Sequence, residues 1–216
     1  MAPRGVDPGL YLVTDRALSG ERSVEGVVGA AVRGGVSMVQ LREKELETRA
    51  FVELGRRLKE ELAGRGVPLI INDRLDVALA CGADGVHLGQ HDMLYGDARR
   101  IMGTEAIIGV SVETAAQAAE AEAFDCDYLG VSPVFPTPTK TDVATSWGIE
   151  GLRRLRSQSH HRLVAIGGIN RTNAREVLGA GADGIAVVSA ICAARDPQAA
   201  AEELRQILEH VRRRVR

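Results

Sequence analysis

The 216 residues carry 27 Lys+Arg against 29 Asp+Glu, a formal net charge of −2, a balance that offers no global surface for nucleic acid or membrane, so any anion must be bound by local arrangement. The length fits one domain, 1–216, able to bury its own core, and three scattered cysteines without a CxxC pair argue against a disulfide framework or a zinc site. No apolar run reaches membrane-spanning length, and the N-terminal one is short and ends at Asp15, so a cytoplasmic protein without signal peptide is expected.

Eight short runs rich in Val, Ile and Leu follow one another along the chain: Leu10–Thr14, Met38–Leu41, Leu69–Ile71, Gly85–Leu88, Ile107–Val110, Tyr128–Val131, Leu163–Ile166 and Ile185–Val188. They show little polar alternation, the pattern of parallel strands covered on both faces. Amphipathic stretches lie between them, among them Val24–Arg33, Thr48–Ala63, Thr114–Ala123, Thr172–Leu178 and Pro197–Val211, the last opened by an Asp196-Pro197 cap. Eight βα units predict a closed (β/α)8 TIM barrel, with an open doubly wound sheet as the alternative. Cys81-Gly82-Ala83-Asp84-Gly85 is echoed by Ala180-Gly181-Ala182-Asp183-Gly184; both segments close a helix and open a strand. Asp84 and Asp183 therefore belong to the bottom of the barrel, where polar residues serve stability. His160-His161 reads as a solvated connection, and the Arg-rich C-terminus as a frayed helix end.

Active sites of this fold sit after the strands. Those positions hold Gln40-Leu41-Arg42-Glu43-Lys44, Asn72-Asp73, Gly89-Gln90-His91-Asp92, Ser111, the Pro/Thr-rich segment through Lys140, Gly167-Gly168 and Ser189. Arg42 and Lys44, two apart at a strand end, can point the same way, and Lys140 approaches from another loop; together they suit a multiply charged anion. An exposed charged loop is the plainer alternative. Asp73 and Asp92 end adjacent strands, roughly 5 Å apart across a sheet, and could bridge a hard cation to phosphate oxygens. Alternatively each caps the helix that follows it. Gly167-Gly168 and Ser189 follow the seventh and eighth strands, where backbone N–H groups often hold a phosphate. Two anion-binding ends favour a transferase joining two phosphorylated molecules, or an enzyme holding one long bisphosphate.

In this order the segments Leu10-Tyr11-Leu12-Val13-Thr14-Asp15, Gln40-Leu41-Arg42-Glu43-Lys44, Ile71-Asn72-Asp73, His87-Leu88-Gly89-Gln90-His91-Asp92, Gly109-Val110-Ser111, Pro136-Thr137-Pro138-Thr139-Lys140, Ile166-Gly167-Gly168-Ile169 and Val188-Ser189 resemble the thiamine phosphate synthase family over nearly the whole chain. The resemblance implies a (β/α)8 barrel that joins hydroxymethylpyrimidine pyrophosphate to hydroxyethylthiazole phosphate, or its carboxylated form, with Mg²⁺. It implies that Gln40, Arg42, Lys44, Asn72 and Lys140 bind the pyrimidine pyrophosphate and that Asp73 and Asp92 hold Mg²⁺. Ser111 would lie by the pyrimidine and the departing pyrophosphate, while Thr137 and Thr139, with backbone at Gly168, Val188 and Ser189, would hold the thiazole phosphate. Leu41, Glu43 and Pro138 are included in the substrate site as parts of these segments, and Arg42, Lys44, Ser111 and Lys140 form the catalytic set. His91 departs from the family, whose members often carry an acidic residue there, and is not counted as a ligand.

The implied chemistry is dissociative and needs leaving-group stabilisation more than proton transfer, in keeping with a set of strand-end residues that contains no Ser/His or His/Asp constellation. Segment 135–142 is a candidate lid that would close over the site and exclude water, with a fixed surface loop as the alternative. Two rivals are a related barrel that isomerises the thiazole phosphate and a non-catalytic phosphate sensor. The retained aspartates and the Gln-Leu-Arg-x-Lys pattern argue against the first. Partners are small molecules, and a homo-oligomer is left open.

Overall fold

The computed structural model describes residues 7–136 and 146–215. Eight parallel strands close on themselves in chain order: β1 (Leu10–Val13), β2 (Met38–Leu41), β3 (Leu69–Asn72), β4 (Gly85–Leu88), β5 (Ile107–Val112), β6 (Tyr128–Val131), β7 (Leu163–Ile166) and β8 (Gly184–Val187). Closure runs through β1 and β8, with Tyr11 paired to Ala186. The barrel is the expected one, not the open sheet.

Each strand is short and buried on both faces, which is why the sequence shows continuous apolar runs. Alternate residues divide between two packings. Leu10, Leu12, Val39, Leu41, Leu69 and Ile71 face the helices, whereas Tyr11, Val13, Met38, Ile70, Tyr128, Val164 and Ala186 form a separate cluster inside the barrel. The helical shell follows its own period. In α2 (Thr48–Ala63) Phe51, Leu54, Leu58 and Leu62 recur at spacings of three and four and are buried. Truncating one of these, such as Leu58→Ala, costs about 2–5 kcal/mol through lost burial and the cavity left behind.

Helix starts follow local chemistry. Thr114 and Gln117 form a capping box on α5 (Ala115–Ala121). The Asp196 carboxylate accepts from Gln198 N and Ala199 N at 3.0 and 3.1 Å, opening α9 (Pro197–Val215). The stretch expected from Thr172 begins instead at Ala174 in α7 (Ala174–Gly179), because Thr172 N is taken by the Asn170 carboxamide in a turn.

The bottom of the barrel is tied by aspartates. Asp84 accepts from Leu69 N and Asp183 from Leu163 N, both at 2.8 Å, joining neighbouring strands as their strand-start positions imply. Asp127 does the same for Ile108 N at 2.8 Å. His161 is not solvated: it is buried, with Nε2 3.0 Å from Ala121 O and Nδ1 3.7 Å from Cys126 Sγ. Arg212 is not frayed, since its guanidinium donates to Asp7 at 2.6 and 2.8 Å and to Asp183 O at 2.8 Å. All three cysteines are free and buried, and burial pushes the Cys126 thiol up to about 12 and Cys192 to about 11, which makes both poor nucleophiles. Among the described residues no helix is long and apolar enough to cross a membrane.

Candidate active site

The inward-facing residues run on past the packed interior to line a cavity of about 510 Å³ at the C-terminal ends of the strands. Its floor is made by Tyr11, Gln40, Asn72, His87, Ser111 and Tyr128, one side chain from each of β1 to β6. Asn72 and Ser111 lie inside β3 and β5, not in the loops after them as expected from sequence. Ser111 pairs in register with Gly130, and its inward direction is therefore set by the sheet.

Above the floor lie the charges. Lys44 Nζ donates to Asp73 Oδ2 at 2.6 Å. Asp73 has φ 63 although it is not glycine, at the centre of a three-residue turn closed by Arg74 N on Asn72 O at 2.7 Å, a conformation uncommon outside glycine although aspartate tolerates it better than most residues. Asp73 does not cap the helix that follows it: α3 (Leu75–Cys81) starts after Arg74 without a side-chain cap. Asp92 does not cap a helix either, because its carboxylate turns back to accept from Gly89 N at 2.7 Å, and α4 (Tyr95–Met102) starts after Leu94 without a side-chain cap. Desolvation and the neighbouring Asp73 carboxyl push the Asp92 carboxyl above its ordinary value. Two acids sharing one space, one of them beside a lysine, have the chemistry to hold a hard divalent cation, which would relieve their repulsion. The residues present fit Mg²⁺.

Arg42 is held by its backbone N on Thr14 Oγ1 at 3.0 Å, and its guanidinium lies 3.9 Å from Asp15. Gln90 braces β5 by donating to Ser111 O at 2.5 Å. The opposite wall is Gly167, Gly168, Val188 and Ser189. Gly167 and Gly168 have φ of 106 and 66, and a Cβ on Gly168 would lie 2.9 Å from Phe135 Cβ, so the wall is built for backbone without side chain. Val188, expected to end the last strand, leaves it to precede the short helix α8 (Ser189–Cys192).

The sequence-derived residues Gln40, Arg42, Lys44, Asn72, Asp73, Asp92, Ser111, Gly168, Val188 and Ser189 thus share one cavity. Leu41 and Glu43 do not line it. Leu41 faces the helical shell, and Glu43 pairs with Arg16 at 2.8 Å, because alternation turns every second residue of β2 and its extension outward. Thr137, Pro138, Thr139 and Lys140 lie outside the described residues, as does most of the expected lid; the flanks are anchored by Phe135 N on Gly167 O at 3.1 Å and Trp147 N on Pro133 O at 2.9 Å. Sequence reasoning missed Tyr11, His87 and Tyr128 as cavity residues. Their inward phase relative to Val13, Gln40 and Ser111 was the available signal.

Residues 10–191 match the family model described as thiamine monophosphate synthase. A thiamine-phosphate synthase of Albidiferax ferrireducens is 59% identical over 202 residues, covering 94% of this chain and 92% of the relative. One of Syntrophomonas wolfei is 54% identical, covering 94% and 97%. The solved thiamine phosphate pyrophosphorylase of Pyrococcus furiosus superposes with a TM-score of 0.88 at 43% identity, covering 95% of this chain and 98% of that one. With a family model matching residues 10–191 and relatives of this identity and coverage, the chain belongs to the thiamine monophosphate synthase family.

Proposed function

We propose that this chain condenses 4-amino-2-methyl-5-hydroxymethylpyrimidine pyrophosphate with 4-methyl-5-hydroxyethylthiazole phosphate, or its carboxylated form, to give thiamine phosphate and pyrophosphate. The observation that carries the reading is the Lys44–Asp73–Asp92 group set over a polar floor, at the mouth of a barrel from this family.

The bond from the pyrimidine methylene to its pyrophosphate oxygen breaks first, and the electron pair leaves with pyrophosphate. The ring amino group stabilises the resulting methylene cation, and the thiazole nitrogen lone pair then forms the new C–N bond. Arg42 and Lys44 bind the departing oxygens, with Lys140 joining them as the family resemblance implies. Charges fixed beforehand cost no reorganisation as the leaving group becomes anionic, and one such contact is typically worth ~3–4 kcal/mol in the barrier. Asp73 and Asp92 would hold Mg²⁺, which when bound supplies Lewis acidity to the pyrophosphate. Gln40 and Asn72 orient the pyrimidine from the floor, and Ser111 stands where ring and leaving group meet. Gly168, Val188 and Ser189 take the thiazole phosphate, with Thr137 and Thr139 assigned to the same end. The cation has to be kept from water, which would otherwise hydrolyse it.

The test is pyrophosphate release by the purified chain, with each substrate alone and with both, with and without Mg²⁺. Metal-dependent release together with thiamine phosphate formation is the expected result. Binding of thiazole phosphate with no pyrophosphate released would transfer the reading to an isomerase or a sensor.

A further inference from the structure

Beneath the charged mouth, five side chains form a continuous row. Gln40 Nε2 donates to Tyr11 Oη at 2.9 Å, Tyr11 Oη lies 2.9 Å from Tyr128 Oη, Tyr128 Oη lies 3.1 Å from His87 Nδ1, and His87 Nε2 lies 2.8 Å from Ser111 Oγ. The row begins and ends on the cavity, since Gln40 and Ser111 both line it. Its rings are locked. His87 stacks on Tyr128 with an interplanar angle of 15°, and Tyr11 meets Tyr128 edge-on at 87°.

Proton counting gives the row a direction. An amide nitrogen only donates, so Tyr11 Oη must accept from Gln40. Its single proton then goes to Tyr128, and the Tyr128 proton to His87 Nδ1. An Nδ1 that accepts places the imidazole proton on Nε2, which donates to Ser111 Oγ. The Ser111 proton is left to point into the cavity. Burial pushes both phenols far above their ordinary range, so neither loses the proton being counted.

We propose that Gln40, Tyr11, Tyr128 and His87 form a one-way hydrogen-bond chain that fixes Ser111 as a donor toward an oxygen of the leaving group, with the Gln40 amide setting the direction. Turning that amide over would reverse every link and make Ser111 an acceptor. Tyr11, Tyr128 and His87 are then positioning residues, and Ser111 acts where charge develops. Linked bonds polarise one another, so the last donor is stronger than an isolated hydroxyl. The role given to Ser111 rests on the synthase reading; the direction of the chain does not.

The tautomer of His87 tests the direction without substrate. Long-range ¹H–¹⁵N correlation on ¹⁵N-histidine-labelled protein, with His87→Gln to assign the ring among five histidines, is expected to show a neutral ring protonated on Nε2. Tyr11→Phe cuts Tyr128 from Gln40 and is expected to yield a mixture of both tautomers. It should also lower kcat about tenfold, the equivalent of one hydrogen bond, with KM for the pyrimidine pyrophosphate little changed. His87→Gln, whose terminal amide can still donate from the Nε2 position, should keep more activity than His87→Asn. A wild-type ring protonated on Nδ1, or doubly protonated, overturns the proposal, as does a Tyr11→Phe protein with unchanged spectrum and kcat. Failure of pyrophosphate release in the wild type would strike the proposed reaction while leaving the tautomer result standing.

Discussion

Gly109 is the position on which the cavity floor turns. A Cβ added there would lie 2.1 Å from Tyr128 Cζ and 2.4 Å from its hydroxyl oxygen. To reach ordinary contact the ring must retreat by about 1.3 Å, the gap between 2.1 and 3.4 Å. Tyr128 is 1% exposed and flanked by Tyr11 and His87, so it can yield only toward the cavity that it lines, away from those neighbours. Its bonds of 2.9 and 3.1 Å to those neighbours would stretch beyond useful length. Overpacking costs ~1–3 kcal/mol, and two lost hydrogen bonds add ~1 kcal/mol each. Gly109→Ala should therefore destabilise by roughly 3–5 kcal/mol, lowering Tm by about 10 °C in a chain of this size, and should cut kcat by disconnecting Ser111. Gly96 is the control, because it lies in α4 with nothing within 4 Å of an added Cβ. Gly96→Ala should stabilise by ~0.4–1 kcal/mol. Scanning calorimetry with steady-state kinetics reads both variants; a Gly109→Ala protein with wild-type Tm and kcat would refute the packing argument.

Three further outcomes are expected. Asp73→Ala and Lys140→Ala should each abolish synthesis with unchanged circular dichroism, and wild-type rates in either would sink the site assignment. Asp92 has a raised folded value, so the folded state favours its protonated form; stability from this group is present at low pH and lost as pH rises through that raised value. At neutral pH without divalent cation, Asp92→Asn should match or exceed the wild type in Tm, while added Mg²⁺ should raise Tm in the wild type more than in the variant; equal gains would argue against Asp92 as a ligand. Asp127→Ala should remove the acceptor for Ile108 N and for Arg99, at 2.8 and 3.2 Å, lowering stability by roughly 2–3 kcal/mol with kcat/KM intact, since these groups tie the barrel bottom; a selective loss of kcat would place Asp127 in the wrong role.

The barrel was legible because every strand is covered on both sides and writes its burial as a short run rich in Val, Ile and Leu with few polar residues. The same rule hid where strands end. Asn72, Ser111 and Val112 belong to their strands, yet a polar residue that closes an apolar run, unlike Gln40 and His87 inside theirs, reads as the start of a loop. Tyr11 and Tyr128 were hidden for the converse reason. In a sequence an aromatic residue in an apolar run reads as core, and both are core; only the inward phase shared with Gln40 and Ser111 makes their hydroxyls part of the floor. Leu41 and Glu43 show the limit of motif reading. They sit within a functional segment, but the alternation of the strand turns them away from the cavity.

Aspartate shows how position, not residue type, decides a role in this fold. At strand starts Asp84, Asp127 and Asp183 each accept a backbone N–H from the neighbouring strand and pair with Lys59, Arg99 and Arg156. Those carboxylates are spent on structure: buried or half-buried amides that need an acceptor have found one. At strand ends Asp73 and Asp92 are placed against each other, with one left-handed backbone and one raised carboxyl as the cost. Nothing in the packing of the barrel requires that arrangement, and a fold optimised for stability alone would remove it. Lys44 offsets part of the repulsion at 2.6 Å from Asp73, and a doubly charged ion in the role proposed for this pair would relieve the rest.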